Sequence, residues 1–358
     1  MKRPAYLAAL AVLSLGACSP KEENKAAPPA QTAETAQMAQ VGQTGPLSRD
    51  AIENTAYAPP PSAQDGQPAT LNAAQQQPQP ALIRAQVLLE RARFSPGAID
   101  GLAGSNMRQA ISAFQEANGM TVNGQLNADV MGRLRAAAGP GAVTTTYTIT
   151  QQDIAGPYLG VVPTELEAQG QAAHMGYANI VEALAERFHV TEALLRAMNP
   201  GADFNRVGQG LLVPDVNTAP LAADVDHIDV DKSEGSVKAF DADGKLIAYF
   251  PATIGSGDNP TPTGTVKVNG VTRNPDYTYD PSKLSYGDGK KKVVVKPGPN
   301  NPVGVVWIDL NKPSYGIHGT PDPHLVGKTA SHGCVRLTNW DAWMLADKVK
   351  PGVTVRFI

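Results

Sequence analysis

The stretch TASHGCVRL, Thr329 to Leu337, carries Cys334, one of only two cysteines in 358 residues. The other, Cys18, stands near the opposite end of the chain. A thiolate is a strong nucleophile, and a nearby base or cation generates it close to neutral pH. His332 lies two residues from Cys334, so along a strand the two would share a face. His318 closes the apolar run YGIH, from which a neighbouring strand could hold it against the sulfur. Gly333 permits close backbone approach, and the N–H groups of Gly333 and Cys334 are candidates for an oxyanion hole. Other uses of these residues compete. Zinc held by His318, His324, His332 and Cys334 has suitable ligand types, but no HExxH or CxxC spacing accompanies them. A buried inert thiol is the common fate of a lone cysteine, though two histidines, a serine and two glycines are poor company for one. A Ser331 nucleophile lacks the GxSxG frame.

Strands must position such a group. From about Asp224 to Ile358 the runs HIDVD, SVKAF, KLIAYFPA, GTVKVNG, KKVVVKP and VVWIDL are rich in β-branched residues and bounded by Gly, Pro, Asp and Asn. Asn339 is expected to cap a helix whose apolar face is Trp340, Trp343, Met344 and Val349. Pro351-Gly352 stops that helix, and VTVRFI returns as a last strand.

HGT at His318 to Thr320, followed by SHGCVRLTN, resembles the active-site signature of the L,D-transpeptidases, the YkuD-type catalytic domain. His318, Gly319, Ser331, His332, Gly333, Cys334, Val335, Arg336, Leu337 and Asn339 supply every element of that signature. PTPTG (260–264) and NPVG (301–304) are similar to the family's framework turns. The resemblance implies that Cys334 is the acylated nucleophile and His318 its base, with the Gly319 carbonyl orienting the imidazole. His332 becomes a structural or polarising histidine, and Ser331 and Gly333 are counted with Gly319 and His332 among the orienting or oxyanion residues. Arg336 would meet a carboxylate, of the substrate or of the protein itself. A lid is expected over 271–299, where Tyr277, Tyr279, Tyr286 and the lysines at 290–292 could touch substrate.

The implied reaction is acyl transfer on peptidoglycan stem peptides through a thioester, giving 3–3 crosslinks, with no metal or organic cofactor. Discharge of the same thioester to water, or attachment of a lipoprotein to the wall, would use the same motif. So would a catalytically silent wall tether, although decay would have tolerated loss of His318 and Cys334. Carbapenem-type inhibitors are expected to acylate Cys334.

The first 18 residues read as a targeting segment: Lys2 and Arg3, a short apolar run, then LGAC, which resembles a bacterial lipobox with Cys18 as the lipidated residue. That predicts a cell-envelope, periplasmic protein, lipid-anchored to the outer membrane, and leaves Cys334 a lone thiol in an oxidising compartment. Residues 19–80, rich in Ala, Pro, Gln and Thr, are expected to be an unordered tether. The segment 81–138 is apolar at helical spacing and has Asp100-Gly101 and Phe114-Gln115, so it resembles the three-helix peptidoglycan-binding domain. The segment 147–215 resembles a LysM module with an insertion of about 25 residues after an opening strand, Tyr147 to Thr150; its His189 is expected to pack rather than act. The expected architecture is therefore multi-domain, ending in a mostly β, sandwich-like catalytic domain at 224–358 with one C-terminal helix. A net charge of −3 gives no electrostatic footprint for nucleic acid.

Overall fold

The computed structural model describes residues 45–58, 77–216, 219–255, 261–281, 291–331 and 333–358. Among the described residues, four helices come first: α1 (Arg49–Asn54), α2 (Pro80–Arg91), α3 (Ser105–Ala117) and α4 (Ala128–Ala138). Pro80 opens α2 where no intrahelical donor is needed, and the Asn127 side chain accepts the Val130 N–H to start α4. Next, β1 (Thr144–Thr148) pairs antiparallel with β2 (Gly210–Pro214). Between them lie α5 (Gln151–Ala155), α6 (Leu166–Gln171), α7 (Ile180–Arg187) and α8 (Glu192–Met198). Asn179 and Thr191 cap α7 and α8. The opening strand thus begins three residues before the expected Tyr147, and the insertion folds into two short helices.

The two N-terminal segments do not bury separate cores. Leu89, Phe114 and Leu134 from the first helices join Leu184, Leu195 and Leu211 in one apolar cluster, which also takes in Tyr249 of the C-terminal sheet. Pieces of about 60 residues are marginally stable alone, and pooling their apolar faces adds buried area. Backbone bonds tie the pieces together: Ile99 N–H to the His189 carbonyl, Thr191 N–H to Ile99, and Ser95 N–H to Tyr249.

One segment of the expected tether departs from the sequence reading. Residues 49–54 are helical, with Leu47 and Ile52 buried. The buried Arg84 guanidinium donates to the carbonyls of Ile52, Glu53 and Thr55, and Glu53 accepts from the Thr144 N–H and hydroxyl. The helix forms because its C-terminal carbonyls find a cation, a partner that local composition does not reveal. Cys18, the targeting segment and residues 19–44 and 59–76 of the tether lie outside the described residues.

Residues 227–357 form an eight-stranded sheet, in spatial order β11 (Val335–Arg336), β10 (Gly316–His318), β9 (Val306–Leu310), β6 (Gly264–Arg273), β12 (Thr354–Phe357), β3 (His227–Asp231), β4 (Ser236–Phe240) and β5 (Leu246–Pro251). A separate hairpin joins β7 (Tyr277–Tyr279) to β8 (Val293–Val295). Strand β6 is bulged between Val268 and Gly270; Gly264 to Lys267 pair with β12, and Val268 and Gly270 to Arg273 pair with β9. Such a bulge bends a strand and lets one sheet curl over itself. Val230, Val237, Ile308, Ile317, Leu345 and Val355 fill the interior.

Helix α9 (Asn339–Ala346) follows the cysteine motif, and its cap differs from the expected one. Thr338 accepts the Asp341 N–H as N-cap, which leaves the Asn339 carboxamide free for other partners. Trp343 is not on the apolar face: it is 38% exposed, with the Arg273 guanidinium over its ring. Val349 is buried but lies beyond the helix end.

Candidate active site

Strand β10 carries His318 between two neighbours in register, Trp307 on β9 and Arg336 on β11. The Trp307 and His318 rings stack with centroids 5.5 Å apart. Gly316 makes room for that ring, since a Cβ there would lie 2.6 Å from the indole. The His318 Nδ1 donates to the Gly319 carbonyl at 2.6 Å, which fixes the tautomer and leaves Nε2 as the acceptor nitrogen. Burial, reinforced by the Arg336 charge, holds the imidazole pKa down to about 4 against the Gly319 bond, so the ring is neutral at physiological pH.

Cys334 precedes β11 on a strap fixed at both ends. Thr253 exchanges two backbone bonds with Arg336, and Ser331 N–H donates to the Ile254 carbonyl. The Ser331 hydroxyl donates to the Cys334 carbonyl at 2.6 Å and accepts the Gly333 N–H at 3.2 Å. Ser331 is therefore a brace for the strap. The Gly333 N–H, expected as an oxyanion donor, is committed to that brace. Burial pushes the Cys334 thiol up, opposed by the Gly316 backbone and the Arg336 charge. The sulfur's own hydrogen-bond acceptor is the Ser314 carbonyl, at 3.6 Å.

Cys334, His318 and Arg336 line one cavity of about 650 Å³. Tyr277, Trp307, Asp276 and Lys292 share its walls. Arg336 Nε is buried there without a partner among the described residues. Tyr279 is buried outside this lining, with its hydroxyl unpartnered among the described residues, so it is not placed to meet substrate. His324 lines a different cleft, apart from Cys334, which removes it from any shared metal site. Among the described residues no three His, Cys, Asp or Glu side chains are grouped to hold a metal ion. His332 and Tyr286 lie outside the described residues. Trp307 and Asp276 were not legible as site residues, because a strand aromatic and a loop aspartate carry no motif.

Residues 225–357 match the family model of the L,D-transpeptidase catalytic domain (YkuD), and residues 78–134 match the model described as "Putative peptidoglycan binding domain". A Bacillus licheniformis protein named "Putative L,D-transpeptidase YkuD" is 29% identical over 180 residues, covering 49% of this chain and 91% of that relative. "Probable L,D-transpeptidase YbiS" of Escherichia coli K12 is 28% identical over 191 residues, 51% of this chain and 61% of the relative. Among solved structures, L,D-transpeptidase 3 from Mycobacterium tuberculosis with a faropenem-derived adduct is 16% identical, with a TM-score of 0.32 over 42% of this chain and 74% of that one. The cysteine strap, the buried histidine and the eight-stranded sheet thus lie in a segment that matches the L,D-transpeptidase catalytic domain (YkuD), in one chain with a segment that matches a peptidoglycan-binding domain.

Proposed function

We propose that the protein is an acyltransferase that crosslinks peptidoglycan stem peptides through a Cys334 thioester. The observation that carries this reading is the His318 imidazole, held neutral in one tautomer in the same cavity as the thiol. A thiol whose pKa is raised reacts best when a neutral base removes its proton during attack. Cys334 Sγ forms a bond to the carbonyl carbon that follows the L-centre of a diamino acid in a tetrapeptide stem, and its proton passes to His318 Nε2. The Cys334 N–H is the remaining candidate donor to the oxyanion. Collapse breaks the C–N bond, and D-alanine leaves with the proton from His318. An amine of a second stem then attacks the thioester, restores the thiol and forms the 3–3 link.

Mixed charge in the cavity suits such a substrate: its lining includes Arg336 and Lys292, which would meet carboxylates, and Asp276, which would meet an ammonium. The N-terminal domain would hold the glycan strand. A lipid at Cys18 would place the enzyme in the envelope, on the periplasmic face of the outer membrane.

The test uses the mature chain and purified disaccharide-tetrapeptide, with products read by mass spectrometry and Cys334→Ala as control. A dimer lacking one D-alanine is expected. A tripeptide monomer alone would make the enzyme a hydrolase instead. No product, together with no carbapenem adduct on Cys334, would overturn the catalytic reading.

A further inference from the structure

We propose that Glu186, on α7 and outside both matched domains, is a positioning residue for the catalytic base: its carboxyl holds the Asn339 side chain against Gly319, whose carbonyl orients His318. This inference rests on the assignment of His318 as the base. Asn339 follows the motif SHGCVRLT, and its side chain turns away from the helix it begins. Its Oδ1 accepts the Val305 N–H at 3.2 Å, and its Nδ2 donates to Glu186 Oε1 at 2.6 Å and to the Pro299 carbonyl at 3.2 Å. These partners fix which way the amide points, because only the oxygen can accept from Val305.

The amide is wedged between two stretches of backbone. A Cβ on Gly304 would lie 2.0 Å from Asn339 Oδ1, and one on Gly319 2.2 Å from it. Only glycine leaves room at either place. The Gly319 peptide, whose carbonyl accepts the His318 Nδ1–H, therefore rests on the Asn339 amide, which the shorter of its two Nδ2 bonds ties to Glu186.

Glu186 is itself held on a firm element. One turn earlier, Glu182 accepts the Ala178 N–H and, at 2.8 Å, the Asn300 side chain. Residues 182 and 186 share a helix face, so α7 grips the 299–305 turn and the start of α9 at two points. Burial raises the Glu186 carboxyl to about 8, against the Asn339 bond, so it is largely protonated at neutral pH and still accepts through Oε1. A glutamine can make the same bond. The segment between the two matched domains thus reaches the reacting centre through one side chain.

The experiment compares the full-length protein with Glu186→Ala, Glu186→Gln and Arg187→Ala. Arg187→Ala loosens the same helix by removing the ion pair to Asp153 without touching Asn339. Histidine-selective ¹⁵N NMR reads the His318 tautomer and its acid titration, and carbapenem acylation reads the rate. Glu186→Ala should mix the tautomers, move the titration midpoint up by about one pH unit or more toward an ordinary histidine, and slow acylation about tenfold, within the ~10²-fold that an ångström of misplacement costs. Glu186→Gln should match the wild type in all three readouts, and Arg187→Ala should lower thermal stability with the His318 signals unmoved. Unchanged His318 signals in Glu186→Ala would overturn the proposal, as would equal damage from Gln or from Arg187→Ala. If stem-peptide turnover is absent but the NMR shift appears, the positioning role stands and the transpeptidase reading alone falls.

Discussion

Two buried histidines occupy similar surroundings and differ in their acceptors and in access to a cavity. His318 and His189 are 3% and 5% exposed, each stacked on a tryptophan: Trp307 at 5.5 Å and Trp340 at 4.8 Å. Each engages an acceptor through Nδ1, at 2.6 Å and 2.8 Å. The acceptor of His318 is a backbone carbonyl, and its ring lines the cavity beside Cys334. The acceptor of His189 is the Glu90 carboxylate, and the ring is enclosed where α2, the α7–α8 turn and α9 meet. Burial and aromatic stacking therefore do not make a base. An open second nitrogen beside a nucleophile does.

That contrast predicts opposite phenotypes. His318→Ala should lower the rate of acylation by a carbapenem about 10³-fold, the scale of general-base loss, with little change in melting temperature. His189→Asn tolerates the left-handed backbone there (φ 57°) but cannot reach Glu90. It should destabilise the fold by about 3 kcal/mol through the stranded carboxylate and leave the acylation rate within about threefold, well short of a tenfold loss and its 1.4 kcal/mol barrier change. Equal kinetic losses in the two variants would dissolve the comparison.

The pH dependence sharpens it. With His318 held at about 4, acylation should stay level from about pH 7 to pH 5 and fall only as pH drops through 4, whereas an ordinary imidazole would lose activity through 6.5. For stability the sign follows from which state binds more protons. Unfolded His318 protonates near 6.5 and folded His318 does not, so stability is full above 6.5 and is lost as pH falls toward 4, by about 3 kcal/mol. Glu186 works the other way: its raised carboxyl contributes stability below about 4.5 that is lost as pH rises through 8. Urea unfolding of Glu186→Gln isolates the histidine window, and a flat stability between pH 4 and 6.5 in that variant would contradict the burial argument.

Much of this was legible in the sequence. Runs such as VVWIDL and VTVRFI became strands because β-branched residues suit a buried sheet, and the HGT and SHGC elements came together because β10 and β11 pair in parallel. What was not legible depends on partners distant in sequence. Residues 49–54 are helical through Arg84, 30 or so positions away; Asn339 reads as a cap until Thr338 takes that role. The two modules expected at 81–138 and 147–215 share one apolar core, because each alone has too few apolar faces to close. Tyr279 had the same promise as Tyr277 in a list of aromatics, and only the fold distinguishes them.

The smallest expected effect tests the stack itself. Gly316 has no positive φ, so alanine fits its backbone and keeps the N–H that faces the Cys334 sulfur. The added methyl would stand 2.6 Å from the Trp307 ring and must push it off His318. Overpacking of this kind costs about 1–3 kcal/mol of stability. Losing the ring that shields the imidazole should slow acylation about threefold to tenfold and raise its acid limb, because water regains access to the base. Trp307→Phe removes the part of the indole nearest the methyl, so the double variant should recover most of the stability lost by Gly316→Ala while keeping the slower rate. If the single alanine leaves rate and acid limb untouched, the stack is packing alone, and the two histidines differ only in their acceptors and in access to the cavity.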